Sequence, residues 1–236
     1  MGDLLMAVPD WHEGAHRLVP SHFPPISLFE DVANEDEYDI LFAVESLTND
    51  RLMDEIGIIS LVDSKDRIFG PGTTPVMAAF THIGMSSRFT NGEYGVYYAA
   101  NALDVAIAET VYHREQFLAT TNEPDTEITM RQYVNSIQAP MVDIRADEFT
   151  HLHDPDSYQE SQSFAAKQCK TGLYGLHYNS VRYQGNGNGE CVAVFRPKAL
   201  TPTVQGCHLR YVWSGKVQRI TDVLEVKRHA PEPSAP

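Results

Sequence analysis

The sequence predicts an α+β fold whose sheet is mainly antiparallel, and three observations predict it. Helix-like and strand-like segments follow one another in irregular order, without the repeated βαβ units of a doubly wound fold. Residues 176–183 and 191–195 are β-rich runs separated by Gly185-Asn186-Gly187-Asn188-Gly189, the composition of a hairpin turn. A content of 42% hydrophobic residues in 236 supplies a substantial core, and that length stays within the ~250–300 residues one core can serve. One domain over residues 1–229 is expected, followed by a disordered, Pro-rich tail at 230–236.

Taken in order, residues 11–29 mix His, Arg and Pro, and the Pro24-Pro25 pair keeps the stretch extended or turning. An acidic segment follows. Residues 38–51 and 54–62 carry apolar residues at both helical and strand-like spacings, until Gly70-Pro71-Gly72 ends the section. Residues 76–82 fit a helix or a strand. Val96 to Ala100 is a short β-prone run, and Asn101 with Asp104 three residues on resembles a helix N-cap with an acid in the first turn. A helix is therefore predicted from Ala102 to about Leu118. On it Ala102, Val105, Ala106, Glu109, Tyr112 and His113 share one face by i, i+3, i+4 and i+7 spacing, so a carboxylate stands within a small, apolar stripe. Beyond an acidic loop at 120–127, residues 141–144 read as a strand, 157–170 as a helix stopped near Gly172, and 209–213 as a further strand.

Composition narrows the function. Eighteen Lys and Arg against 32 Asp and Glu give a formal charge of −14, which disfavours a broad surface for nucleic acid or anionic lipid but allows a local basic pocket. No apolar run approaches the ~20 residues of a membrane-spanning helix, and Met1 to Asp10 lacks the pattern of a signal peptide, so a cytoplasmic protein is expected. Cys169, Cys191 and Cys207, without a Cys-x-x-Cys pair, predict reduced thiols rather than a disulfide framework or a thiolate zinc site. His12-Glu13-Gly14-Ala15-His16 matches the H-E-x-x-H pattern, which would make a zinc hydrolase of the chain. That motif needs a helix, and Gly14 inside it with Pro20, Pro24 and Pro25 behind argues against one; no metal is expected. The glycine-rich stretch at 185–189 precedes a strand-like run, so it reads as a turn and not as a phosphate cradle.

A more informative series is Ser87-Arg88-Phe89, then Val96-Tyr97-Tyr98-Ala99-Ala100, then Ala106-Ile107-Ala108-Glu109-Thr110, then Tyr178-Asn179-Ser180-Val181-Arg182 and Gly189 to Pro197. This ordered set resembles the RES-domain family, named for Arg, Glu and Ser. His16-Arg17-Leu18 resembles the family's first motif, so the similarity runs from about Arg17 to Val226. Against it the chain carries an N-terminal extension and an insertion at about 29–81. The resemblance implies an ADP-ribosyltransferase-like fold and a toxin of a toxin–antitoxin pair that takes NAD as substrate. It also implies a hetero-oligomer with an Xre-like helix-turn-helix antitoxin, which would supply the DNA binding that this acidic chain lacks.

Cleaving the nicotinamide–ribose bond passes through an oxocarbenium-like state, so the site needs a carboxylate near the ribose, cations for the diphosphate and an aromatic wall. The resemblance assigns catalysis to Glu109 and NAD binding to Arg88, Tyr98, Ser180 and Arg17. Arg182, two residues beyond Ser180, is expected on the same strand face. A guanidinium fork suits diphosphate better than the point charge of a lysine. The acceptor of ADP-ribose stays open at this point: a protein side chain would make a mono-ADP-ribosyltransferase, water an NAD glycohydrolase, phosphate a phosphorylase. A non-catalytic binding module is the competing class.

Overall fold

The computed structural model describes residues 4–20 and 57–227. The readings at 21–29, at 38–51 and at the 230–236 tail, with most of the 29–81 insertion, lie outside these residues. The described elements are β1 (Met6–Ala7), β2 (Ala15–Pro20), α1 (Thr74–Thr81), β3 (Tyr97–Ala100), α2 (Leu103–Thr121), β4 (Thr126–Asn135), β5 (Met141–Asp143), α3 (Gln159–Lys170), β6 (Gly175–Asn179), β7 (Glu190–Val194), β8 (Val204–Ser214) and β9 (Arg219–Val226). The nine strands form one sheet in the order β1-β5-β6-β7-β3-β2-β4-β8-β9. Every neighbouring pair is antiparallel except β5 and β6. The fold is α+β with a mainly antiparallel sheet.

Period-two alternation buries both faces at the centre of this sheet. Tyr97, Ala99, Val192 and Val194 meet Val76, Met77 and Phe80 of α1 on one face. Ala100, Cys191 and Ala193 meet Val105 and Ala106 of α2 and Ala165 of α3 on the other. Each of the larger aliphatic side chains so buried contributes on the order of 1.5–3 kcal/mol. Among the described residues no helix is long and apolar enough to cross a membrane.

Local chemistry explains where the elements depart from expectation. Residues 74–81 are helical because Pro75 sits in the first turn, where its fixed φ favours a helix and its missing N–H is not needed. The cap of α2 is Ala102, with no side-chain bond. Asn101 is used elsewhere: its amide donates to the Asn188 carbonyl (3.2 Å) and its Oδ1 accepts the Glu190 N–H (3.1 Å), tying the β6–β7 hairpin to the start of α2. Strand β6 ends at Asn179, short of the expected 183, because Ser180 Oγ accepts the N–H groups of Arg182 (3.3 Å) and Tyr183 (3.1 Å) and turns the chain. The H-E-x-x-H match is not helical. Gly14 closes a turn by donating to the Trp11 carbonyl (3.0 Å). Its φ of +85°, and a would-be Cβ 2.9 Å from Val134 Cγ1, both demand glycine, and β2 begins at the next residue. His12 and His16 therefore never share a helix face, which removes the zinc-hydrolase reading. The three cysteines are all unpaired.

Candidate active site

Strands β2 and β3 are joined by a single register pair, His16 with Ala100, whereas β2 pairs with β4 over six residues. The sheet is open beyond that pair. Arg17 reaches across the gap by donating from Nη1 to the Tyr98 carbonyl (3.1 Å), with its guanidinium 4.6 Å from the centre of the Tyr97 ring. The gap and the adjoining face of α2 enclose a cavity of about 370 Å³, within the range of small-molecule sites. Arg17, Arg88, Tyr98 and Glu109 all line it, with Met85 and Phe117 at 79% and 52% exposure among its remaining walls.

Arg88 belongs to a tight turn closed by the Ser87–Thr90 bridge. Tyr98 holds that turn on both sides of the arginine, with its hydroxyl 2.7 Å from Ser87 Oγ and accepting the Phe89 N–H at 3.1 Å. Helix α3 clamps it from above: Ser161 Oγ donates to the Arg88 carbonyl (2.6 Å), and Gln162 Nε2 donates to the Ser87 and Thr90 carbonyls (2.8 and 3.1 Å). The guanidinium is 6% exposed, donates from Nη1 to the carbonyls of Asp154 (2.8 Å) and Leu152 (3.3 Å), and lies over the Tyr158 ring. Burial pushes the Tyr98 phenol up to about 12, against the lowering by its hydrogen bonds, so it is neutral. Of the two adjacent tyrosines Tyr98 faces the cavity, and Tyr97 is buried in the opposite core.

Glu109 projects from α2 and accepts a 2.5 Å hydrogen bond from Ser180 Oγ. With one proton given to the carboxylate and its lone pairs taken by Arg182 and Tyr183 N–H, the Ser180 hydroxyl is fully used within the protein. Arg182 does not line the cavity. Its guanidinium stacks 3.4 Å from the Tyr112 ring centre and donates to the Pro155 carbonyl, because the turn at Ser180, not strand alternation, places it.

Sequence reasoning passed over Thr110 and Arg114, gave His113 a place on the Glu109 face but no role, and weighed His16 only as a zinc ligand, although all four line the cavity. Extending that face from Glu109 by i+1 and i+5 would have found Thr110 and Arg114. Burial and the charges of Arg182, Arg114 and Arg88 hold the His113 imidazole below its ordinary value, opposed by Glu109. Burial likewise lowers Arg114 and Arg17 from the usual arginine range, though a guanidinium stays charged. Three cations and one carboxylate make the cavity net positive in a chain of charge −14. Three buried side-chain nitrogens on lining residues have no hydrogen-bond partner among the described residues: Arg17 Nε, Arg88 Nη2 and His16 Nε2. Glu190, in the stretch running into β7, is committed elsewhere, accepting from Trp11 Nε1 (3.0 Å) and Arg145 Nη1 (2.5 Å) beside His177.

A protein of Sinorhizobium fredii (strain NBRC 101917 / NGR234), the uncharacterized protein y4oC, is 27% identical over 209 residues, covering 85% of this chain and 83% of its own. Among solved structures, a chain of the M. tuberculosis MbcT–MbcA toxin–antitoxin complex is 11% identical and aligns over 90% of both chains at a TM-score of 0.43, a distant likeness on which nothing rests. The profile of the RES domain matches residues 66–214, well over half of the sequence and all of the cavity's motifs except Arg17. The chain belongs to the RES domain family.

Proposed function

We propose that this protein is the toxin of a toxin–antitoxin pair, that it cleaves the nicotinamide–ribose bond of NAD, and that it transfers the ADP-ribose to a protein side chain in the cytoplasm. The observation that carries the reading is a cationic cavity in an acidic protein, in which Arg17 Nε and Arg88 Nη2 are N–H donors left without acceptors among the described residues, beside one anchored carboxylate. Buried donors without partners are costly, and a diphosphate offers many oxygens to satisfy them. The residues present fit that ligand.

Arg88, held by Tyr98 and α3, and Arg17, bridging the open sheet, grip the diphosphate. Arg114 adds a third charge to the same lining. The Tyr98 ring supplies the aromatic wall. Glu109, oriented by Ser180, accepts hydrogen bonds from the ribose hydroxyls and offsets the positive charge that develops at the ribose as nicotinamide leaves. Ser180 thus acts as a positioning residue, and Arg182 supports the turn that carries it. Transfer to protein is favoured over release to water or phosphate because the sequence carries an added segment at about 29–81, length that recognition of a macromolecular acceptor can use. An Xre-like helix-turn-helix antitoxin would restrain this activity in a hetero-oligomer.

Incubating cell lysate with the protein and labelled NAD, followed by mass spectrometry, tests the reading. Label on a protein supports transfer, free ADP-ribose or its 1-phosphate identifies glycohydrolase or phosphorylase chemistry, and unaltered NAD overturns the proposal.

A further inference from the structure

We infer that His16 is a substrate-binding residue whose Nε2–H, locked in one tautomer, donates to an uncharged oxygen of the nicotinamide riboside half; the inference rests on reading the cavity as an NAD site. His16 lies on β2 at the one pair that joins it to β3, so it marks the inner end of the opening. It lines the cavity and is 8% exposed. Its Nδ1 is 2.7 Å from Gln132 Nε2.

The orientation of that amide is not free. Gln132 Oε1 accepts the Cys207 N–H at 3.0 Å, so the NH2 group is the end that faces the imidazole. Gly206 makes room for it, since a Cβ there would stand 2.1 Å from Gln132 Oε1. An amide NH2 can only donate, so Nδ1 must present its lone pair, and a neutral ring then carries its proton on Nε2. Protonating Nδ1 would set two donors against each other. Burial lowers the affinity of the ring for a second proton in the same direction, with Glu13 opposing. The chain Cys207, Gln132, His16 therefore ends in one N–H of fixed position, and that N–H has no partner among the described residues. Such an arrangement is uneconomical in a core but useful in a binding site, where a ligand oxygen completes it.

The surroundings select the acceptor. Directly paired residues project to the same face, so His16 stands beside Ala100, and Ala100 pairs in turn with Cys191. These small side chains line the same cavity and carry no charge. The cations are Arg17, Arg88 and Arg114, and they serve the phosphates. A neutral donor among small apolar residues suits a carbonyl or hydroxyl oxygen.

The test measures dissociation constants of carba-NAD, which resists cleavage, and of ADP, for the wild-type chain, His16→Leu and His16→Gln. Leucine removes the donor, while the glutamine amide can place an N–H near the original Nε2. We expect His16→Leu to weaken carba-NAD about tenfold, as for loss of one neutral hydrogen bond, with ADP unchanged and His16→Gln close to wild type. Unchanged affinity of His16→Leu for carba-NAD overturns the role of His16 and leaves the NAD site standing. Failure of the wild-type chain to bind either probe overturns the reading of the cavity, and the inference with it. Should His16→Leu not fold, the imidazole 15N spectrum of the wild-type chain decides: an Nε2–H resonance that moves on adding carba-NAD supports the proposal, and an Nδ1–H tautomer or an unmoved resonance overturns it.

Discussion

Glu109, which lines the cavity, accepts a 2.5 Å hydrogen bond from Ser180, which does not, and the two separate in mutation. Glu109→Gln keeps the shape and loses the charge, so NAD turnover should fall by about a hundredfold or more while the melting temperature holds. Steady-state rates together with a thermal melt check this, and parental turnover in a folded variant would remove Glu109 from catalysis. Ser180→Ala leaves the carboxylate in place but unanchored. A hydrogen bond to a charged group is worth about 1.5–3 kcal/mol, so kcat should drop roughly tenfold or more with KM nearly unchanged. A change confined to KM would show instead that Ser180 binds ligand directly.

At the scale of elements, the 86–90 turn is a short irregular segment made rigid by β3 and α3. Removing the Tyr98 hydroxyl by Tyr98→Phe strands the Phe89 N–H and frees Ser87, so Arg88 loses its fixed position while the aromatic wall remains. The expected outcome is a severalfold higher KM for NAD with retained fold, measurable by initial rates. Arg88→Lys should also weaken NAD, because one point charge replaces a fork. An unchanged KM in both variants would separate the turn from the ligand. The turn was visible in the sequence only as Ser-Arg-Phe, since the hydroxyl and amide that hold it come from residues 98 and 162.

At the scale of the whole molecule, Asp66 ties the start of the family-matched region to the chain beyond β7. It accepts from Arg196 at 2.7 and 2.8 Å and pairs with Lys198 at 3.1 Å. Burial raises its carboxyl, but the hydrogen bonds and charges of Arg196 and Lys198 outweigh it and leave the group below its ordinary value. A depressed folded value means that this stabilisation is complete above the unfolded carboxylate value of ~3.9 and is lost as pH falls through the lower folded value. Asp66→Asn, which weakens hydrogen bonds to partly exposed cations, should cost about 1.5–3 kcal/mol at neutral pH and flatten the acid limb of the stability curve, which melts from pH 7 to 3 would show. The charge distribution of the whole chain bears on control. If the proposed antitoxin inserts an acidic segment against Arg17 or Arg88, which line the cavity, it should compete with NAD, and titrating NAD against the purified complex checks this; antitoxin affinity that ignores saturating NAD would indicate a remote effect.

By itself the sequence determined the elements whose signals are local: α2 and α3, strands β3, β5 and β7, the hairpin at 185–189, and the motifs that carry Arg88, Tyr98, Glu109 and Ser180. It missed β4, because that interior strand buries Gln132 and Asn135 to bond His16 and Tyr97, and buried polar residues erase the alternation that marks a strand. It missed β9, an edge strand whose side chains are largely exposed. Only the tertiary structure decided that β2 and β3 part after one pair, that residues 16, 88, 109 and 114 face one space, and that Ser180 serves Glu109. The last of these joins positions 71 residues apart, and spacing along a chain carries no information about which distant side chain completes a hydrogen bond.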